Sequence, residues 1–397
     1  MLHIIPWLQQ GGSEAMLASL VGATKDVVQH RIYTLLPSEN FFHLDPAIIR
    51  CGAARRGIPS IGTVLDLHDE VKRQRPKIVH AWMYHANLAS SVLWGRRPSI
   101  VWSIHNSTLP GDSTKRSTRL VNRLCARLST VVPDKIVYVS AVSRDLHESL
   151  GYAAAKGVLI PNGVDPARFS RNRTQPRRNT GNESPATLAM VARYEHQKGH
   201  HFLIDVLAQH PARDRMRLIF AGRDCDTSPD LRAHLGRVGL LEQSTISGAV
   251  RLVEDIYAAA DIVVLPSLYG EALPLTLLEA SAAGRVICAS RVGDIARMGL
   301  SSSFLFDAGD AASCAAALTD AMDAARIPVC SSRRLPDRYT IGSVACQYVD
   351  LYRSLTQIND RRAGLMNDPA EDHFNPESSN GCLTSLLHNQ DNAQEHF

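Results

Sequence analysis

Leu265-Pro-Ser-Leu-Tyr-Gly-Glu-Ala-Leu-Pro-Leu-Thr-Leu-Leu-Glu-Ala-Ser-Ala-Ala-Gly284 contains a strand exit, a loop and a helix in one short stretch. The apolar run before it ends at Pro266, the loop carries Glu271, and a helix is predicted to begin near Leu273–Pro274, where proline is tolerated because its missing N–H has no partner to lose. Gly284 stops the helix and Val286-Ile-Cys starts the next strand. The unpaired N–H groups at such a helix start form an anion site. Glu271 lies just before it. Glu279, eight residues on, leans back toward the same end, because helical side chains tilt N-terminally.

The rhythm extends outward in both directions. Short apolar strands alternate with amphipathic helices, the pattern of βαβ units and parallel sheets. In the first half, strands are expected at 77–81, 100–105, 135–140 and 158–160, with helices near 12–23, 60–74, 85–95, 114–130 and 142–150. Residues 170–185 lose all apolar periodicity and read as an exposed linker. The second half restarts with strands near 187–192, 216–221, 262–266, 285–289 and 303–306. A helix at about 340–355 precedes a polar tail.

The expected domains are therefore 1–169, a linker at 170–185, 186–335, a C-terminal helix at 336–358 returning to the first domain, and a disordered tail at 359–397. Two tandem doubly wound halves put the carboxyl ends of their strands on a shared crevice, where open α/β sheets bind ligands.

Composition narrows the class. The chain has 397 residues, 45% hydrophobic and 21% charged, which suits a soluble two-domain enzyme. Its eight cysteines include no C-x-x-C pair, against a disulfide scaffold or zinc site and for a reducing compartment. The N-terminus has no basic segment ahead of a long apolar one, so no signal peptide is expected, and a cytoplasmic protein is. Neither G-x-G-x-x-G nor G-x-x-x-x-G-K-[ST] occurs, which removes the usual support for dinucleotide oxidoreductases and P-loop NTPases. The net charge of +4 is uneven: residues 1–168 carry 20 Lys+Arg against 12 Asp+Glu. Such an excess reads either as solubilising charge or as a face for an anionic surface. Arg116, Arg119, Arg123 and Arg127 fall on one predicted helix as a solvated stripe or as a dock for anionic lipid at the inner face of the membrane. Nothing points to nucleic acid.

The spacing E-x-L-P-x-x-L-L-E-A-x-A-x-G, from Glu271 to Gly284, resembles the donor-site signature of retaining family 4 glycosyltransferases ("glycosyl transferases group 1") of the GT-B fold: two Rossmann-like domains facing a central cleft. The resemblance implies that Glu271 contacts donor-sugar hydroxyls and Glu279 the ribose, with Leu273, Pro274 and Leu275 at the helix start. Gly11-Gly12-Ser13-Glu14, after a short strand at the N-terminus, resembles the family's glycine loop, which approaches the donor diphosphate. Ala192-Arg193-Tyr-Glu-His-Gln-Lys198-Gly199 resembles its diphosphate loop, with Arg193 and Lys198 as the cations. Two such cations make chemical sense, because departure of a nucleoside diphosphate concentrates charge on its oxygens. His80-Ala-Trp-Met-Tyr-His85 and Ser103-Ile-His105-Asn106 resemble acceptor-side segments, and the implied role of His105 is a hydrogen-bond donor near the sugar rather than a nucleophile. Val139-Ser-Ala-Val-Ser143 and Ile160-Pro-Asn-Gly-Val-Asp165 match the end of the family's first domain.

The resemblance spans about residues 3–355 and implies transfer of a hexose or N-acetylhexosamine. The donor would be a nucleotide sugar, UDP-linked by the family's habit, and the acceptor a glycan or lipid-linked glycan of surface polysaccharide or lipopolysaccharide assembly. No metal or other cofactor is expected. Asp224-Cys-Asp226 has the D-x-D shape of metal-dependent transferases of another fold, but sits where this family has a variable loop. His196 and His200 sit four apart beside His201, with no carboxylate base and no third ligand in the neighbourhood, so zinc is not expected there. Val292-Gly-Asp-Ile-Ala-Arg-Met-Gly-Leu300 departs from the family's Gly-Gly-x-Pro-Glu stretch and puts sugar contacts from that loop in doubt. A nucleotide-sugar 2-epimerase of similar architecture, or an inactive nucleotide-sugar binding protein, are the alternatives.

Overall fold

The computed structural model of the chain describes residues 1–52, 61–94, 98–107, 116–170, 184–301, 303–327 and 335–362. Most of the linker read at 170–185 and of the tail read at 359–397 lies outside the described residues.

The first half is a seven-stranded parallel sheet, in the order β3-β2-β1-β4-β5-β6-β7. Its strands are β1 (Leu2–Ile5), β2 (Arg31–Thr34), β3 (Ile49–Cys51), β4 (Ile78–Trp82), β5 (Ser99–Ile104), β6 (Lys135–Tyr138) and β7 (Gly157–Leu159). Helices α1 (Gly12–Thr24), α2 (Ile61–Gln74), α3 (Met83–Ser90), α4 (Arg116–Leu128), α5 (Ala141–Ser149) and the single turn α6 (Ala167–Ser170) follow in chain order. Central strands β4 and β5 are buried along their whole length, which is why they read as near-continuous apolar runs.

The second half is a six-stranded parallel sheet, in the order β10-β9-β8-β11-β12-β13. Its strands are β8 (Ala186–Val191), β9 (Met216–Ala221), β10 (Ser244–Ser247), β11 (Ile262–Leu265), β12 (Val286–Ser290) and β13 (Ser303–Phe306). Its helices are α7 (His200–Gln209), α8 (Pro229–Arg237), α9 (Val253–Ala259), α10 (Leu275–Ala282) and α11 (Ala311–Arg326). In both sheets the strand order reverses beside the strand that opens the half, the doubly wound arrangement. The fold class is thus the two Rossmann-like domains expected.

Each sheet is covered by apolar packing on both faces. The last helix, α12 (Ile341–Arg362), leaves the second domain and lies on the first. Its Val344, Tyr348, Tyr352 and Leu355 join Met16, Leu17 and Leu20 of α1 in one core. At the crossing point Val164 and Thr340 form a parallel bridge, with Val164 N donating to Tyr339 O and Ile341 N to Val164 O.

Three strands escape the sequence pattern: β2, β3 and β10. All are short, and β3 and β10 are edge strands with no fully buried residue, so neither displays a long apolar run. The helix expected from Leu273–Pro274 begins two residues later, with Pro274 in extended conformation as its N-cap.

Candidate active site

The carboxyl ends of both sheets border one cleft of about 2430 Å³. Gly11 and Gly12 follow β1, His105 follows β5, Arg193 and Lys198 follow β8, and Glu271, Leu273, Pro274, Leu275 and Glu279 follow β11. All ten line this cleft.

On the first-domain wall, α1 starts at Gly12 with Gly11 as an extended N-cap. A Cβ on Gly12 would meet nothing within 4 Å, but one on Gly11 would lie 2.3 Å from Glu14 Oε2, so the Glu14 carboxylate stands over this helix start. Glu14 is buried, hydrogen-bonded by the Ser13 hydroxyl at 2.8 Å, and its carboxyl is pushed up by burial, with Arg193 of the facing domain among the opposing influences. The sequence singled out no role for Glu14.

His105 stacks on Trp82 at 5.3 Å. Neither of its ring nitrogens makes a hydrogen bond among the described residues. Burial drives its pKa down to about 4, with the Asn162 side chain opposing, so the ring is neutral near pH 7 and offers one N–H. His85, of the same sequence segment as His80, borders the cleft. His80 does not. It is fully buried in the sheet, bridged to the Tyr352 hydroxyl at 2.8 Å and Ser103 Oγ at 2.7 Å, and acts as a core histidine.

On the second-domain wall, the loop 192–199 carries both cations. Lys198 Nζ lies 2.6 Å from Glu271 Oε1, which also accepts from Ser267 Oγ at 2.6 Å. Lys198 and Glu271 are only 16% and 7% exposed, so this is a shielded pair in which a lone charge would be costly. Arg193 is more exposed and pairs with Glu195 at 2.6 Å. The loop closes at Gly199, whose φ is +75° and where a Cβ would lie 2.2 Å from Pro266 O. Only glycine lets it lie flush on the exit of β11. Deeper in the cleft, Glu279 Oε2 accepts from the Tyr257 hydroxyl at 2.7 Å, and burial raises the Glu279 carboxyl.

The loop holding Glu271 is gripped from the other domain. Ser107 Oγ donates to Glu271 O, and Asn162 Nδ2 donates to Leu273 O at 2.7 Å. The departing stretch 292–300 does not line the cleft. It supports the loop from behind: Gly293, at φ +62°, lies so close that a Cβ would sit 1.7 Å from Glu271 O. Asp294 Oδ2 accepts from the Ala141 and Val142 backbone nitrogens at 2.6 and 3.4 Å, at the start of α5. Ser107, Asn162, Ser267, Gly293 and Asp294 were missed as site residues because each acts on a partner distant in sequence or through backbone that motif spacing does not encode.

Asp224 and Asp226 do not border the cleft, and Asp226 packs against Gly248. Among the described residues no group of three or more His, Cys, Asp or Glu is placed to hold a metal ion, and no helix is long and apolar enough to cross a membrane.

This fold and cleft define an architecture of two Rossmann-like domains with a shared ligand cleft, and comparison with known proteins gives its class domain by domain. Residues 10–168 match the family model "Glycosyltransferase Family 4", and residues 185–324 match "Glycosyl transferases group 1". The chain belongs to the family 4, group 1 glycosyltransferases. It is similar to an uncharacterized glycosyltransferase of Methanocaldococcus jannaschii, 27% identical over 54% of this chain and 57% of that protein. It is also similar to a D-inositol 3-phosphate glycosyltransferase of Corynebacterium urealyticum, 27% identical over 71% of this chain and 69% of that one. Among solved structures, Anabaena HepE in complex with UDP and glucose superposes with a TM-score of 0.74 at 17% identity, covering 89% of this chain and 99% of HepE.

Proposed function

We propose that this glycosyltransferase moves a hexose or N-acetylhexosamine from a UDP-sugar to a glycan or lipid-linked acceptor, with retention of configuration and without a catalytic metal, in surface polysaccharide or lipopolysaccharide biosynthesis in the cytoplasm. The observation that carries it is the convergence on one cleft of Arg193, Lys198 and the glycine turn that opens α1, with Glu271 and Glu279 on the same wall as the cations. Two cations match a diphosphate, and fixed donors aimed at the charge that develops on a leaving group contribute about 3 kcal/mol each. The Anabaena protein of the same fold has been solved with UDP and glucose, which supports the UDP reading.

Glu271 Oε1 is engaged by Lys198 and Ser267, which suits holding sugar hydroxyls better than nucleophilic attack. The neutral His105 N–H can steady the transferred sugar without gaining or losing a proton. Cations on the protein take the charge-neutralising part that a metal would otherwise play, and Asp224 and Asp226 lie outside the cleft lining.

Helix α4 supports a lipid-linked acceptor. Ser117, Thr118 and Val121 border the cleft, while Leu120, Leu124, Arg116, Arg123 and Arg127 are exposed on the same helix. A cationic helix with exposed leucines matches an anionic bilayer surface. The test is a panel of UDP-, GDP- and ADP-hexoses with lipid-linked and soluble glycan acceptors, products read by mass spectrometry. Product from a UDP-sugar, lost in folded Glu271→Ala and Arg193→Ala, is expected. Full activity in both variants contradicts the assignment, and turnover of the donor without acceptor would indicate an epimerase.

A further inference from the structure

Away from the cleft lining, two histidines of the second domain face each other. His201 lies in the first turn of α7 and His234 on α8, with their Nδ1 atoms 3.2 Å apart and their ring planes at 65°. Their other nitrogens are committed. His234 Nε2 is 2.7 Å from Asp205 Oδ1. His201 Nε2 is 2.9 Å from Asp230 Oδ2, to which the Tyr194 hydroxyl also donates at 2.7 Å. That hydroxyl oxygen in turn lies 2.7 Å from His201 Nε2 as an acceptor. A carboxylate offers only lone pairs, so both Nε2 atoms carry the hydrogen. In that tautomer each ring has only the Nδ1 lone pair to offer, and the two lone pairs meet across the 3.2 Å gap. Two acceptors in that position repel unless a cation bridges them.

A borderline divalent metal fits this gap. Zn–N bonds of about 2.0–2.1 Å at a tetrahedral angle place two nitrogens roughly 3.3 Å apart. A carboxylate on the remote nitrogen is the usual partner of a metal-bound imidazole, fixing its tautomer and strengthening it as a ligand. We propose that His201 and His234 form a two-imidazole Zn²⁺ site through their Nδ1 atoms, with Asp230 and Asp205 behind the rings. Water completes the coordination shell, since no third protein ligand is placed there among the described residues. His201 is 43% exposed and His234 8%, so the metal enters from solvent, and a small rotation of the freer His201 ring aligns its lone pair.

None of these residues borders the cleft, so the metal takes no part in the transfer. It clips α7 to α8. Because α7 directly follows the loop of Arg193 and Lys198, the clip stiffens the base of the diphosphate loop. The neighbouring His200 is not a ligand: it turns inward, with Nε2 3.8 Å from Cys225 Sγ.

The experiment uses the full chain, stripped of metal with chelator and titrated with ZnCl₂ by calorimetry, with Tm followed in parallel. One saturable equivalent of Zn²⁺ and a higher Tm are expected. His201→Ala, at a half-exposed position that leaves the core intact, should weaken binding at least tenfold and remove the Tm rise, and Asp230→Asn should weaken it by about tenfold. Absence of Zn²⁺ uptake, the outcome if a shared proton bridges the rings instead, overturns the proposal. So does binding that is the same in His201→Ala, which would place the metal on other histidines.

Discussion

Asp294 Oδ2 lies 2.6 Å from the backbone nitrogen of Ala141, so a carboxylate of the second domain caps the N-terminus of a first-domain helix. The same segment backs Glu271 through Gly293, and Asp294 N itself donates to Ala272 O. The segment that joins the two domains is therefore also the one that backs Glu271. A charge-assisted hydrogen bond to a helix start contributes about 1.5–3 kcal/mol. Asp294→Ala is expected to lower kcat/KM for the nucleotide sugar by about tenfold or more while leaving each domain folded. Asp294→Asn should recover part of the loss, and steady-state kinetics beside near-UV circular dichroism checks both.

Lys198 and Glu271 form the shielded ion pair of the cleft. Lys198→Met strands a buried carboxylate and removes a cation proposed to bind the diphosphate. It should cost about 3 kcal/mol of stability and about a hundredfold in kcat/KM. The double variant Lys198→Met/Glu271→Gln should regain most of the stability and none of the activity, a non-additivity that denaturant melts and kinetics together measure.

Gly293→Ala tests the contact behind Glu271. At φ +62° with Glu271 O in the way of a Cβ, the substitution should cost at least about 3 kcal/mol and displace the loop. Gly309→Ala is the control: its φ is +78° but nothing stands within 4 Å of the added Cβ. It should cost only the left-handed backbone term of about 1–2 kcal/mol. Tm values of the two variants decide.

Acid should unfold the protein through its buried histidines. Burial holds His30, His105 and His147 at about 4 and His200 at about 3, below the ordinary value of 6.5. Between pH 6.5 and 4 the unfolded chain takes up protons that the folded chain refuses, so stability falls as pH drops, by up to about 1.4 kcal/mol per pH unit for each histidine. Glu14 and Glu279, raised by burial, act in the opposite sense: they favour the fold as pH falls toward their unfolded value. Burial also lowers His3, His80, His85 and His210, and eight histidines against two carboxyls predicts a steep net loss below pH 6.5, seen as a falling urea midpoint.

The repeating strand–helix pattern and the run from Glu271 to Gly284 made the fold and one wall of the cleft legible in the sequence, because parallel strands and a proline-led helix leave periodic traces. What stayed hidden depends on chain segments meeting in space. Asp294 reaches Ala141 across 153 residues, and Ser107 reaches Glu271 across 164. His80 shows the reverse limit: in sequence it stands beside cleft residues, yet strand alternation and Tyr352 of α12 turn it into the core. His234 could not be paired with His201 before α7 and α8 were placed side by side.

The most direct test of the central claim is calorimetric titration of UDP into the wild-type protein and into Arg193→Ala and Lys198→Ala, in EDTA. The account predicts saturable UDP binding that needs no metal and weakens by about tenfold or more in each variant, consistent with the loss of one charge-assisted contact of about 1.5–3 kcal/mol. UDP affinity unchanged in both variants, or binding that appears only with a divalent metal, would contradict it.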